Sequence, residues 1–127
     1  MKLNMGYVIL YVTDLDKTKH FYGELLGLTL RNEFGTYIEY DTGSTILSMN
    51  TREDGREVTG LTIPDDVTQS QTFELGFVTE QVAEVVEKLK TAGVEILKEP
   101  TEKPWGQTVA YVADPDGHYI EICTPIG

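Results

Sequence analysis

Apolar and polar positions along this chain fall into strand-like and helix-like stretches that come twice in the same order. Residues 5–12 form an almost unbroken apolar run rich in β-branched and aromatic side chains, the pattern of a buried strand. Asp14 then offers a helix N-cap, and Thr18, Phe21, Tyr22, Leu25 and Leu26 recur at helical spacing up to Gly27. Three short strands follow at 28–31, 36–40 and 45–50, with Asp41-Thr42-Gly43-Ser44 as the hairpin turn between the last two. The second half repeats this order. Residues 73–78 read as a strand, and Val82, Val85, Val86 and Leu89 make a helical stripe that stops at Gly93. Residues 94–97, 108–112 and 119–122 read as strands, with Asp114-Pro115-Asp116-Gly117 as the last turn.

The repeat is visible in the letters. Tyr11-Val12-Thr13-Asp14 matches Phe77-Val78-Thr79-Glu80, and Leu26-Gly27-Leu28 matches Ala92-Gly93-Val94. The pattern predicts an α+β fold in which a single domain, 1–127, holds two tandem βαβββ units, 1–50 and 73–127. Residues 51–72 form a polar connector of little periodicity, a linker or a flap. One helix covers one face of a four-stranded sheet, so the opposite faces are expected to build a curved, trough-like mixed sheet with one helix per unit. Chemistry belongs on that non-helix face.

Composition narrows the partners. In 127 residues, 21 acidic groups against 10 basic ones give a net charge of −11. Such a surface repels phosphate backbones and anionic lipid, so neither nucleic acid nor a membrane is expected as a partner. No apolar run reaches the roughly 20 residues of a membrane span. The N-terminus enters strand-like sequence without a signal pattern, and the single Cys123 rules out an intramolecular disulfide. These features point to the cytoplasm.

A doubled βαβββ pattern carrying Val12-Thr13-Asp14-Leu15, Phe21-Tyr22 and Leu26-Gly27-Leu28 resembles the vicinal oxygen chelate superfamily, the group of glyoxalase I, bleomycin-resistance proteins and extradiol dioxygenases. Pro104-Trp105-Gly106 and the segment from Asp114 to Glu121 are similar to the terminal signature of that group. The resemblance covers nearly the whole chain apart from the connector. It implies the fold; the group hosts isomerases, dioxygenases, thiol transferases and non-catalytic drug binders, so the reaction stays open.

The resemblance further implies a His or Glu on the cavity face of the first and last strands of each unit in metal-dependent members. The strand pleat locates those positions here. With Val8, Leu10 and Val12 on the helix side, Tyr7, Ile9 and Tyr11 face the cavity, and the first ligand position falls on Tyr7. Leu47 and Met49 pack inward, which leaves Ser48 and Asn50 on the cavity side. Ile120 and Ile122 pack, so Glu121 faces the cavity. The repeat offset would carry Tyr7 onto Phe73 and bury Glu74 beneath a helix at a cost of several kcal/mol. A one-residue shift, absorbed where the helix begins, puts Leu75 and Phe77 inward and Glu74 on the cavity.

The inferred quartet, Tyr7, Ser48, Glu74 and Glu121, holds two carboxylates and no imidazole. Zn²⁺, Ni²⁺ and Fe²⁺ prefer nitrogen or sulfur, so no metal cofactor is expected. If a divalent metal does bind, Glu74 and Glu121 are its ligands. His20 is read as exposed on the first helix, His118 as a support for the last turn, and Cys123 as packing. Tyr7, Tyr11 and Trp105 offer flat apolar surface, while Ser48, Asn50, Glu74 and Glu121 offer acceptors, a set suited to an aromatic or cationic small molecule. Bleomycin-resistance proteins are similar in being acidic and metal-free and in carrying a comparable Pro-Trp-Gly segment, which in the plainer reading only shapes a loop. Three functions stay open: a metal-free binder of a small molecule, a divalent-metal lyase, isomerase or dioxygenase, and a structural role with the trough as a dimer seam. A homodimer is expected under each.

Overall fold

Period-two burial in the strands and period-3.6 burial in the helices produce the same βαβββ order twice. The computed structural model describes residues 2–67 and 72–126, so residues 68–71 of the connector lie outside the described residues. The chain divides into two units, Met1–Val67 and Thr68–Gly127.

In the first unit, β1 (Tyr7–Val12) leads into α1 (Leu15–Lys19), which runs on as a π-helical segment, His20–Leu25. β2 (Thr29–Phe34), β3 (Tyr37–Asp41) and β4 (Ile46–Thr51) follow, then α2 (Arg52–Thr59). The sheet order is β1-β4-β3-β2, with β1 parallel to β4 and the other neighbours antiparallel. Asp14 caps α1 by accepting from the Lys17 N–H at 3.0 Å. Leu10 and Val12 of β1 pack with Phe21, Tyr22, Ile38, Tyr40, Leu47 and Met49 in a buried core.

The second unit runs β5 (Glu74–Val78), α3 (Val82–Thr91), β6 (Ile96–Glu102), β7 (Thr108–Ala113) and β8 (Tyr119–Cys123). Its order, β5-β8-β7-β6, repeats that of the first, again with one parallel pair, β5 with β8. Val82, Val86 and Leu89 of α3 pack with Val112, Ile120 and Ile122.

Two differences from the sequence reading have physical causes. The interval from Tyr7 to Gly27 is one residue longer than that from Glu74 to Gly93, two glycines whose left-handed φ values of 74° and 85° end their helices. The surplus residue sits in the π-helical turn, where the Leu26 N–H reaches back five residues to the Phe21 carbonyl at 2.9 Å. It is thus taken up inside the helix and not where the helix begins. The connector, for its part, is not irregular throughout. Thr51 caps α2 by accepting from the Asp54 N–H, so the first unit has two helices where one was expected. The polar composition of α2 hid it, because its contact with the rest of the unit is narrow. Gly55 lies against the ring of Tyr11, and Arg52 and Arg56 latch the helix to the Pro64 and Ile63 carbonyls.

A Cβ added at Gly55 would lie 2.6 Å from two ring carbons of Tyr11. Gly55→Ala is therefore expected to lower stability by about 1–3 kcal/mol through overpacking, outweighing the helix-propensity gain. In a Tyr11→Ala background the same substitution should become neutral or stabilising. Urea unfolding of the four variants measures this coupling.

Candidate functional site

A side chain opposite the helix-packed row of a strand has to find a polar partner or water. In the first unit, the paired residues Ile9, Ser48, Glu39 and Asn32 form a row across that face. Glu39 is buried, with its carboxylate 3.2 Å from the Arg31 Nε and accepting from the Tyr37 hydroxyl at 2.6 Å. The same hydroxyl lies 3.0 Å from Ser48 Oγ. Burial, then the bond to Glu39, pushes the Tyr37 pKa up. Asn50 accepts from the Thr36 hydroxyl at 2.6 Å and from the Thr51 N–H. Ser48 and Asn50 thus lie on the predicted face but are buried and already bonded. Tyr37 and Thr36 hold them, the Thr36 hydroxyl being shared with Asp54. Tyr11 is half-buried under α2, whereas Tyr7 remains open on the same strand face.

The second unit uses this face differently. Its corresponding row is Gly76, Glu121, Tyr111 and Lys98, with Glu74 two residues before Gly76 on the same side of β5. Leu75 and Phe77 are the less exposed residues of that strand. Tyr111 donates to Glu121 Oε2 at 3.2 Å. A Cβ at residue 76 would lie 3.0 Å from Glu121 Oε1, so glycine leaves this carboxylate room over the strand. Burial, followed by the negative charge of Glu121 and Glu74, pushes the Tyr111 pKa to about 12. Burial and the same carboxylates raise the Cys123 thiol to about 11. This thiol, 3.8 Å from the Phe77 carbonyl, is a packed group and no ready nucleophile.

A cavity of about 600 Å³ opens beside this row, lined by Thr72, Phe73, Glu74, Leu97, Lys98, Tyr111 and Tyr119. Three of the seven are aromatic. Phe73, the residue just outside β5, has its ring centroid 6.5 Å from that of His118. His118 braces the last turn, its Nδ1 2.7 Å from Asp114 Oδ2, and His20 pairs with Glu24 on the surface. Trp105 is 63% exposed, bonded to Gln107, and stands in the β6–β7 turn, at the end of the sheet away from Glu74. The structure therefore brings Glu74, Glu121 and Tyr111 together and leaves Trp105 outside the cavity lining. The pleat of β7 would have revealed Tyr111, since Ala110 and Val112 are its packed neighbours, and the pleat of β3 would likewise have revealed Glu39.

The donor set does not fit a nitrogen- or sulfur-liganded divalent metal. The two family positions of the second unit are carboxylates, and those of the first are a phenol and an already bonded hydroxyl. Among the described residues no three His, Cys, Asp or Glu side chains converge as metal ligands. Among them, too, no helix is long and apolar enough to cross a membrane.

Unfolded tyrosine and cysteine titrate near 10.0 and 9.0, whereas Tyr111 and Cys123 hold their protons to about 12 and about 11. The unfolded chain consequently binds fewer protons across that window. Stability should be unaffected by these two groups below it and should fall as pH rises through it. Urea midpoints from about pH 8 to about pH 11 should decline, less steeply in Tyr111→Phe/Cys123→Ala.

Residues 5–127 match the family model of the glyoxalase-like domain. A probable chloroplastic lactoylglutathione lyase of Arabidopsis thaliana is 32% identical over 95% of this chain, which spans only 35% of that protein. The glutathione transferase FosA of Serratia marcescens is 29% identical, covering 96% of this chain and 81% of its own. Among solved structures, a glyoxalase-related enzyme from Fulvimarina pelagi superposes with a TM-score of 0.84 at 26% identity, covering 96% of this chain and 88% of that one. Fold, repeat and family match agree: the chain belongs to the glyoxalase-like domain family of the vicinal oxygen chelate superfamily.

Proposed function

We propose that this protein is a small-molecule-binding member of its superfamily that works without a metal, holding an aromatic compound with a cationic group in the cavity of its second unit. The observation that carries this reading is the lining of that cavity. Phe73, Tyr111 and Tyr119 present ring surface, and Glu74 supplies a carboxylate within the same space. A volume of about 600 Å³ lies inside the roughly 300–1,000 Å³ range of small-molecule sites. Tyr111 stays a neutral hydroxyl and donates to Glu121, so the rings meet the ligand without adding charge. The net charge of −11 favours cationic ligands over nucleic acid or anionic lipid. A cytoplasmic homodimer completes the proposal. Exposed Tyr7 and Ile9 on edge strand β1, and Val78 on edge strand β5, support an apolar association between copies.

A divalent-metal lyase, isomerase or dioxygenase is the competing reading, supported by Glu74 and Glu121 sharing one face and by the lyase and transferase among the relatives. It predicts stoichiometric divalent metal that disappears in Glu121→Gln, read by elemental analysis.

Calorimetric titration with a panel of planar aromatic amines, benzylamine included, tests the binding reading. Binding in the micromolar range that weakens about tenfold in Glu74→Gln is the expected outcome, the loss of one charge-assisted contact. Failure of the whole panel to bind, or equal binding by Glu74→Gln, overturns it.

A further inference from the structure

Both sheets carry a β-bulge at the same place, and the two units use it differently. In the first unit, the pairing of β2 with β3 skips Arg31, between Leu30 opposite Tyr40 and Asn32 opposite Glu39. In the second, the pairing of β6 with β7 skips Leu97, between Ile96 opposite Val112 and Lys98 opposite Tyr111. Regular alternation from Ile96, whose partner Val112 is buried in the core, would turn Leu97 to the cavity and Lys98 to the helix side. The extra residue reverses this, so that Lys98 joins Tyr111 and both Leu97 and Lys98 line the cavity.

The bulge of the second unit thus brings Lys98 to the face opposite the helix, where in the first unit the skipped residue is itself basic, Arg31. In the first unit its charge is met by protein, since the Arg31 Nε lies 3.2 Å from buried Glu39. The residue of β7 that corresponds to Glu39 is Tyr111, which keeps its proton and turns its hydroxyl to Glu121. Lys98, paired with this protonated phenol, borders the cavity.

We propose that Lys98 is an anion-recognising residue and that the ligand of this cavity is an elongated aromatic compound with a cationic group at one end and a carboxylate or similar anion at the other. This rests on the binding reading above and adds the second charge. The sheet order places Glu74 on β5 and Lys98 on β6, at opposite edges of the same face. Three strand spacings and a two-residue offset along β5 separate those backbones by about 16 Å, and two inward-leaning side chains shorten the gap toward the length of one substituted ring. The rings of Tyr111 and Tyr119, on the intervening strands β7 and β8, border the space between. An α-amino acid, with its charges adjacent, would satisfy only one of the two ends.

Titration calorimetry with para-(aminomethyl)benzoate, benzylamine and benzoate tests this in wild type, Lys98→Gln and Lys98→Arg. Lys98 is exposed, so both substitutions leave the core intact. The expected result is that the doubly charged compound binds wild type about tenfold more tightly than benzylamine, that Lys98→Gln removes this advantage while leaving benzylamine unchanged, and that Lys98→Arg retains it. Benzylamine binding as tightly as the doubly charged compound, or an undiminished advantage in Lys98→Gln, overturns the inference and leaves the aromatic-cation reading standing. No binding of any of the three overturns both.

Discussion

A four-stranded sheet covered by a helix on one side must satisfy, by its own side chains, by water or by a ligand, every polar group it presents on the other. That constraint organises both units. The helix-side rows are filled by Leu10, Val12, Ile38, Tyr40, Leu47 and Met49 in one unit and by Val112, Ile120 and Ile122 in the other. On the opposite side, the first unit closes its own account: Glu39 takes Arg31 and Tyr37, Asn50 takes Thr36, and α2 lies over Tyr11. The second unit leaves its charged groups beside a cavity. Duplication has preserved the scaffold while the side chains on this face have diverged.

This division explains why the acidic and aromatic groups of the second unit behave as a set. Glu121 extends over Gly76, where no Cβ opposes it, and receives the Tyr111 hydroxyl. Two carboxylates near a half-buried phenol make its ionisation costly, so Tyr111 remains a donor throughout the neutral range. The same charge keeps Cys123 a thiol. A face built in this way presents fixed dipoles and charge beside the cavity.

The sequence made most of this legible wherever a strict period governs the side chains. The alternation of Leu10 and Val12 set Tyr7 and Tyr11 on the face opposite the helix, and that of Ile120 and Ile122 set Glu121 there, once the resemblance had supplied the fold. The repeat and its one-residue discrepancy were also readable, although the letters could not show that a π-helical turn holds the surplus residue. Periodicity failed in three places for separate reasons. α2 has too little apolar surface to reveal itself, because it meets the sheet through Gly55. The burial of Ser48 and Asn50 depends on Tyr37 and Thr36, two hydroxyls from another strand and its turn. Trp105 drew attention as an aromatic near a signature motif, but its turn lies at the far end of β7.

Lys98 marks the deepest limit of such reading. Parity counted along β6 from Ile96 assigns it to the helix side, where a lysine beneath α3 would be costly to bury, and only the bulge at Leu97 resolves that conflict. The conflict is itself a signal. Where strict alternation would bury a charge, either the strand assignment is wrong or the strand slips by one residue, as β6 does at Leu97. Two slips at equivalent positions, after Leu30 and after Ile96, argue that the bulge belongs to the duplicated scaffold. The contrast between Glu39 and Tyr111 then decides what each base is for. With the Glu39 carboxylate in reach, Arg31 is tied to the sheet; with a protonated phenol opposite, Lys98 keeps its charge at the edge of the cavity.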